Sequence, residues 1–214
     1  MSSLIFATEE NQILVATDTL AVTSIGEPFS FTTKATFIPH IRTIIAGTGA
    51  GGFASEWTLI VSTQMIVKGI QNLNHHTPKE LRKLWIDYKK RNSFSEDITT
   101  TVYQFGFSEK NEGVISFAYR SINDFKSEKL EYGTGVKPEC SVPEGNLFDL
   151  IPSMMQEQRE RQEILPKNER LYIGGEIFAL YLTADGCQSI NLGRFPDFKQ
   201  HERAIFKNFE EKHS

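Results

Sequence analysis

The residues of this chain that come nearest to a chemical motif are the glycines of Gly47-Thr48-Gly49-Ala50-Gly51-Gly52. Gly47-x-Gly49-x-x-Gly52 matches the dinucleotide-binding pattern letter for letter, follows a strand-like run and opens a helix-like one. That fingerprint also needs a strand directly after the helix, ending in an acid roughly 20 residues on that holds a ribose hydroxyl. Here a second helical segment follows, and no Asp or Glu stands between Glu56 and Glu80. The more general reading is a glycine turn that aims backbone N–H groups into a pocket from a helix start, where negative charge is stabilised. His75-His76 has no third ligand near it in sequence and reads as surface, so no metal is expected. There is no Gly-x-Ser-x-Gly elbow and no P-loop lysine, and no cofactor is expected.

The chain has 214 residues, 39% of them apolar and 23% charged, which suits a single domain over residues 1–214. A net charge of −4 offers no electrostatic footprint for nucleic acid. The basic clusters Lys89-Lys90-Arg91 and Arg159 with Arg161 read as solvated surface. Cys140 and Cys187 are isolated, which suits a reducing compartment. The first residues lack the basic and apolar regions of a signal peptide, and no stretch has the length of a membrane span. A cytoplasmic protein with no membrane partner is expected.

Runs at Ser3 to Thr8 and Ile13 to Thr17 predict an opening hairpin about the turn Glu9 to Gln12. Thr19 to Pro28 reads as irregular, and Phe29 to Phe37 and Arg42 to Ala46 as two further strands. Phe53 to Leu73 predicts one long, broadly apolar helix. Thr77-Pro78-Lys79-Glu80 predicts the capped start of a second, reaching about Arg91. Strands follow at Thr99 to Phe107, Gly113 to Arg120 and about Ser127 to Tyr132. A helix comes next at about Asn146 to Gln162, weakened by Pro152. A hairpin about Asp185-Gly186 and a helix over Lys199 to Glu210 close the chain. Short turns between strands argue for antiparallel sheets. Helices in blocks argue for an α+β fold with helices stacked on sheets, a four-layer αββα sandwich, and against a doubly wound parallel sheet.

Ser2-Ser3-Leu4-Ile5-Phe6-Ala7, Ile13-Leu14-Val15-Ala16-Thr17-Asp18-Thr19, Thr33-Lys34 and Gly47-Thr48-Gly49-Ala50 together resemble the opening of the proteasome β-subunit family of N-terminal nucleophile hydrolases. Asp18 lies 16 positions after Ser2 and Lys34 lies 32 after it, both as in that family. As motif the resemblance covers about residues 2 to 52. It implies that Ser2, exposed by removal of Met1, is the nucleophile and that its own α-amine is the base. Such an amine has an unperturbed pKa of about 7.7–8.0. It further implies that Lys34 lowers the pKa of that amine and steadies oxyanion charge. Asp18 would hold Lys34, and the Gly49 N–H would donate to the tetrahedral oxyanion. The family's later Gly-Ser-Gly turn finds its match in Gly133-Thr134-Gly135, which makes Thr134 a site residue.

The implied activity is cleavage of peptide or other amide bonds, in a homo-oligomer, with an unfoldase as partner. Ser2 stands where that family strongly prefers threonine, Thr134 stands for its serine, and two further positions depart more seriously from the pattern. Where the family has roughly Asp-x-x-Ser-Gly-Gly, this chain has Arg170-Leu171-Tyr172-Ile173-Gly174-Gly175, so Arg170 and Ile173 replace an acid and a hydroxyl. That leaves open a second reading, a catalytically inactive structural or binding subunit.

Overall fold

The computed structural model describes residues 3–23, 25–111, 113–167 and 169–213. In chain order the strands and helices are β1 (Leu4–Thr8), β2 (Gln12–Asp18), β3 (Leu20–Val22), β4 (Pro28–Phe31), β5 (Ala35–Ile38), β6 (Thr43–Gly49), α1 (Phe53–Thr63), α2 (Ile70–Arg91), β7 (Thr100–Phe107), β8 (Val114–Arg120), β9 (Ser127–Leu130), β10 (Gly133–Lys137), α3 (Leu147–Glu163), β11 (Glu176–Thr183), β12 (Gly186–Arg194) and α4 (Phe198–His213). Strands β10-β1-β2-β11-β12 form one five-stranded sheet and β5-β6-β7-β8-β9 another, while β3 and β4 form a small third sheet. Every pairing among them is antiparallel.

The near-continuous apolar run Ile13-Leu14-Val15-Ala16 explains why β2 sits at the centre of its sheet: both of its faces are covered. Ile13 and Val15 enter a cluster with Leu4, Ile44, Ala46, Tyr103, Phe105 and Ala118, which fills the gap between the two large sheets. Leu14 and Ala16 point the other way, into a cluster with Ile5, Ile151, Met154 and Met155 beneath α3. On the far side of the second large sheet, Phe53, Trp57 and Val61 of α1 and Leu81, Trp85 and Tyr88 of α2 pack with Val102, Phe117 and Tyr119. A fully buried side chain of this kind contributes about 1.5–3 kcal/mol.

The fold is a β-rich antiparallel sandwich, which corrects the four-layer αββα sandwich expected from the sequence. Three sheets, not two, are present among the described residues, and only four α-helices accompany their twelve strands. The helices do not make matched layers. α4 packs on the small sheet, where Phe198 stacks on Phe31 with ring centroids 4.9 Å apart. Element order cannot say which sheet a helix will cover. It also hid the third sheet, because Gly26 and Pro28 made residues 19–28 read as irregular.

Three boundaries are corrected as well. The Phe29 to Phe37 run divides into β4 and β5, which belong to different sheets. The long helix ends at Thr63, and Ile66 in the following loop is fully exposed. Thr77-Pro78 lies inside α2 instead of starting it. The buried stripe Ile70, Leu73, Thr77, Leu81, Trp85 and Tyr88 runs straight through that point, and the Thr77 hydroxyl donates to the Leu73 carbonyl at 2.8 Å. A continuous apolar face outweighs a local capping signal. No described helix is long and apolar enough to cross a membrane.

Candidate functional site

Side-chain alternation along β1 and β2 builds the site. Asp18 ends β2 with the same parity as Leu14 and Ala16, and Ser3 precedes β1 with the parity of Ile5, so both face α3. The register Leu4↔Thr17 sets Ser3 opposite Asp18. The Ser3 N–H donates to Asp18 Oδ1 at 2.9 Å. Lys34, one residue before β5, reaches the same oxygen with its Nζ at 2.8 Å and also donates to the Leu20 carbonyl at 2.7 Å. The third donor to Asp18 is the Gly174 N–H, 3.1 Å from Oδ2.

The Asp18 side chain is fully buried and that of Lys34 is 10% exposed. A buried ion pair persists only when its remaining lone pairs and protons are also satisfied. Asp18 achieves this with two backbone donors and one ammonium. Gly174 and Gly175 make the wrap around the end of β2 feasible. The Gly174 carbonyl accepts from the N–H groups of Thr19 and Leu20, at 3.3 and 3.0 Å. Gly175 has φ +83°, and a Cβ there would lie 2.4 Å from the Thr19 hydroxyl oxygen.

Gln158 completes the arrangement from α3. It is fully buried, its carboxamide oxygen accepts the Ser3 hydroxyl proton, and its NH2 donates to the Pro138 carbonyl. Sequence reasoning did not find it. The signal was present: Gln158 falls on the buried stripe of Ile151, Met154 and Met155, where an apolar residue is expected.

The sequence-expected residues divide as follows. Asp18 and Lys34 are in direct contact. Gly49 ends β6 at the same end of the sandwich, two residues beyond Gly47, whose N–H donates to the Lys34 carbonyl at 3.4 Å. Gly49 has φ +98°, and a Cβ there would meet the Thr99 carbonyl at 2.3 Å, so no other residue fits. Ser2 lies outside the described residues. Thr134 is exposed on β10 opposite Ala7, whereas Lys137 of the same strand lies opposite Leu4. Four strand residues, about 14 Å, therefore separate Thr134 from Ser3. The letters Gly-Thr-Gly match, but strand register carries them away from Asp18 and Lys34.

Arg170 and Ile173 take structural roles. The Arg170 guanidinium donates to the Leu165 carbonyl at 2.6 and 3.1 Å, and Ile173 is buried in the apolar cluster beneath α3. Behind the segment that carries Gly174 is a cavity of about 210 Å³ lined by Leu20, Gly26, Arg159, Tyr172 and His201 among others. There Arg159 makes paired bonds to Asp197 at 2.8 and 2.6 Å. Burial raises the Asp197 carboxyl, but Arg159 outweighs that and holds it below the usual range. Burial lowers His201, against the pull of Asp197.

His75 and His76 sit side by side on α2, and no group of three or more His, Cys, Asp or Glu side chains that could hold a metal ion forms among the described residues. Cys140 and Cys187 are not joined to each other. Comparison with protein-family models and with curated proteins finds no match to this chain.

Proposed function

We propose that this chain is an amide hydrolase of the N-terminal-nucleophile type, acting on peptide or related amide bonds through Ser2. The observation that carries the reading is the buried Asp18 carboxylate, which holds both the Ser3 N–H and the Lys34 ammonium. It fixes a cation beside the start of β1, where a free Ser2 amine and hydroxyl would need one.

In the proposed reaction Met1 has been removed. The Ser2 oxygen attacks the substrate carbonyl carbon, and the Ser2 α-amine takes the hydroxyl proton. The Lys34 charge lowers the amine's pKa and so favours the unprotonated base. Negative charge on the tetrahedral oxygen is met by an N–H donor at the Gly49 turn. Loss of one such donor costs about 10²–10³ in rate. The C–N bond then breaks, and the leaving nitrogen takes the proton from the α-amine. Water attacks the Ser2 ester in the second half, and its proton follows the same route. Retained Met1 would displace the amine by one residue and stop the cycle.

A second reading, an inactive structural or binding subunit, is favoured by one observation. Ile173, which stands where a hydroxyl was expected, is buried among apolar side chains. We further propose a cytoplasmic homo-oligomer that works with an unfoldase.

Treatment with a peptide epoxyketone, which bonds a hydroxyl and an amine together, tests the proposal. On Met1-free protein one inhibitor mass is expected on the N-terminal peptide, and Ser2→Ala should abolish it. No adduct at concentrations that label a proteasome control would select the inactive subunit.

A further inference from the structure

The third donor to Asp18 has a backing of its own. Gly174, whose N–H reaches Asp18 Oδ2 at 3.1 Å, is buried, and a Cβ there would lie 3.3 Å from Cε1 and 3.4 Å from Nδ1 of His201. The His201 imidazole of α4 therefore rests an edge against this glycine. Behind the ring, Nε2 lies 3.3 Å from Asp197 Oδ2, and Asp197 is gripped by both terminal nitrogens of Arg159 at 2.8 and 2.6 Å. Arg159 follows Gln158 on α3. One turn of that helix thus holds Ser3 through Gln158 and backs Gly174 through Asp197 and His201.

The protonation of His201 bears directly on this contact. An ionised carboxylate only accepts, so the Nε2 that faces Asp197 carries the hydrogen of the neutral ring. Nδ1 is then a bare lone pair, buried with no hydrogen-bond partner among the described residues. A second proton would have to go onto Nδ1. The Gly174 carbonyl is taken, since it accepts from the N–H groups of Thr19 and Leu20. A buried N–H without an acceptor is costly, so the charged ring or the glycine must shift. The His201 ring also lines the cavity of about 210 Å³ and is 17% exposed, so it can exchange a proton with solvent. The charged and titratable groups around it are Asp197, Arg159 and Glu163 of α3, and Arg170 and Tyr172 of the segment before β11. From β3 and β4 come Leu20 and Pro28, which do not titrate.

We propose that His201 is a positioning residue for the Asp18–Lys34 pair: on taking up a proton it moves Gly174 off Asp18 and loosens the carboxylate's hold on Ser3 and Lys34. For its bearing on catalysis this rests on the hydrolase reading, but the effect on Asp18 can be read without turnover.

The full chain, labelled with ¹³C and ¹⁵N, is titrated from pH 8 to pH 5 by NMR. The His201 ring carbons report its own protonation. The Gly174 amide is next to the ring and feels its charge directly, so the deciding reporter is the Ser3 amide on the other oxygen of Asp18. Ser3 is expected to show a step at the His201 midpoint, and His201→Gln should abolish it. Asp197→Asn, which removes the pull on the His201 proton, should lower both midpoints together. A Ser3 amide with no step at the His201 midpoint, a Ser3 midpoint unmoved in Asp197→Asn, or a His201 that takes no proton by pH 5 would overturn the proposal. The first and last of these are read on the parent alone, whether or not the variants fold. On Met1-free protein the epoxyketone labelling rate should fall about tenfold further between pH 7 and pH 5 in the parent than in His201→Gln. A Ser3 step with no labelling of either protein would support the positioning role and remove the hydrolase reading. Labelling with the same pH profile in both proteins would overturn the positioning role and leave the hydrolase reading standing.

Discussion

The Asp18 carboxylate lies 2.8 Å from the Lys34 ammonium, and the same oxygen accepts the Ser3 N–H at 2.9 Å. One atom thereby ties the first strand to a lysine that precedes a strand of the other large sheet. Removing the lysine leaves a buried carboxylate with backbone donors alone. Lys34→Met should cost on the order of 3–5 kcal/mol in urea unfolding. The double variant Lys34→Met with Asp18→Asn should lose clearly less than the two single losses added together, since no uncompensated charge remains. A Lys34→Met variant as stable as the parent would mean the pair is not buried in solution.

Thr134 is the converse case. Its side chain is exposed opposite Ala7, far along β1 from Ser3. Thr134→Ala should change stability by no more than about 0.5 kcal/mol and leave epoxyketone labelling at the parent rate. A labelling rate reduced tenfold or more would restore this residue to the site.

Leu59 on α1 and Ile86 on α2 are 58% and 70% exposed although both are large and apolar. In the proposed homo-oligomer these helices supply contact surface. Light scattering at micromolar protein should give a mass of several chains, and Leu59→Glu combined with Ile86→Glu should lower it. A single-chain mass for the parent would count against assembly.

His201 supplies a pH dependence. Its folded pKa lies below the ordinary 6.5 because burial and Arg159 oppose the proton more than Asp197 favours it. Asp197, its direct partner, is itself held ionised by Arg159. The unfolded chain therefore binds a proton that the folded chain resists. The stability that His201 confers is full above its unfolded pKa and is lost as pH falls below about 6.5 through the lower folded value. His201→Gln should flatten that part of the profile in urea titrations between pH 7 and pH 5. An unchanged slope would show that other groups set it.

What the sequence disclosed follows the range of the interactions involved. The Ile13 to Ala16 run reports a strand covered on both faces, but which face Asp18 takes is set by the pairing with β1. Asp18 and Lys34 stand out in the sequence only through the family resemblance over residues 2 to 52, and the fold brings the two into contact. Thr134 misled because a tripeptide carries no register, and pairing with β1 decides which end it occupies. The break after Thr63 was hidden by the apolar residues Met65, Ile66 and Val67, which look buried in a helical count. Gln158 meets Ser3 across 155 residues, a contact no local pattern encodes.

Gln158 bridges the Ser3 hydroxyl and the Pro138 carbonyl, so it links the start of β1 to the segment that follows β10. Gln158→Leu fits the apolar surroundings of Ile151, Met154 and Met155 but strands a buried hydroxyl and a carbonyl. The expected cost is about 1–3 kcal/mol, set by desolvated groups left without partners. Adding Ser3→Ala removes one of those groups, so the double variant should be more stable than Gln158→Leu alone. If the bridge also positions Ser2, Gln158→Leu should slow epoxyketone labelling while the protein stays folded. Gln158→Glu, which keeps the acceptor for Ser3, should restore much of that rate. A double variant less stable than Gln158→Leu would show that the Ser3 hydroxyl finds another partner and that the bridge does not hold the strand.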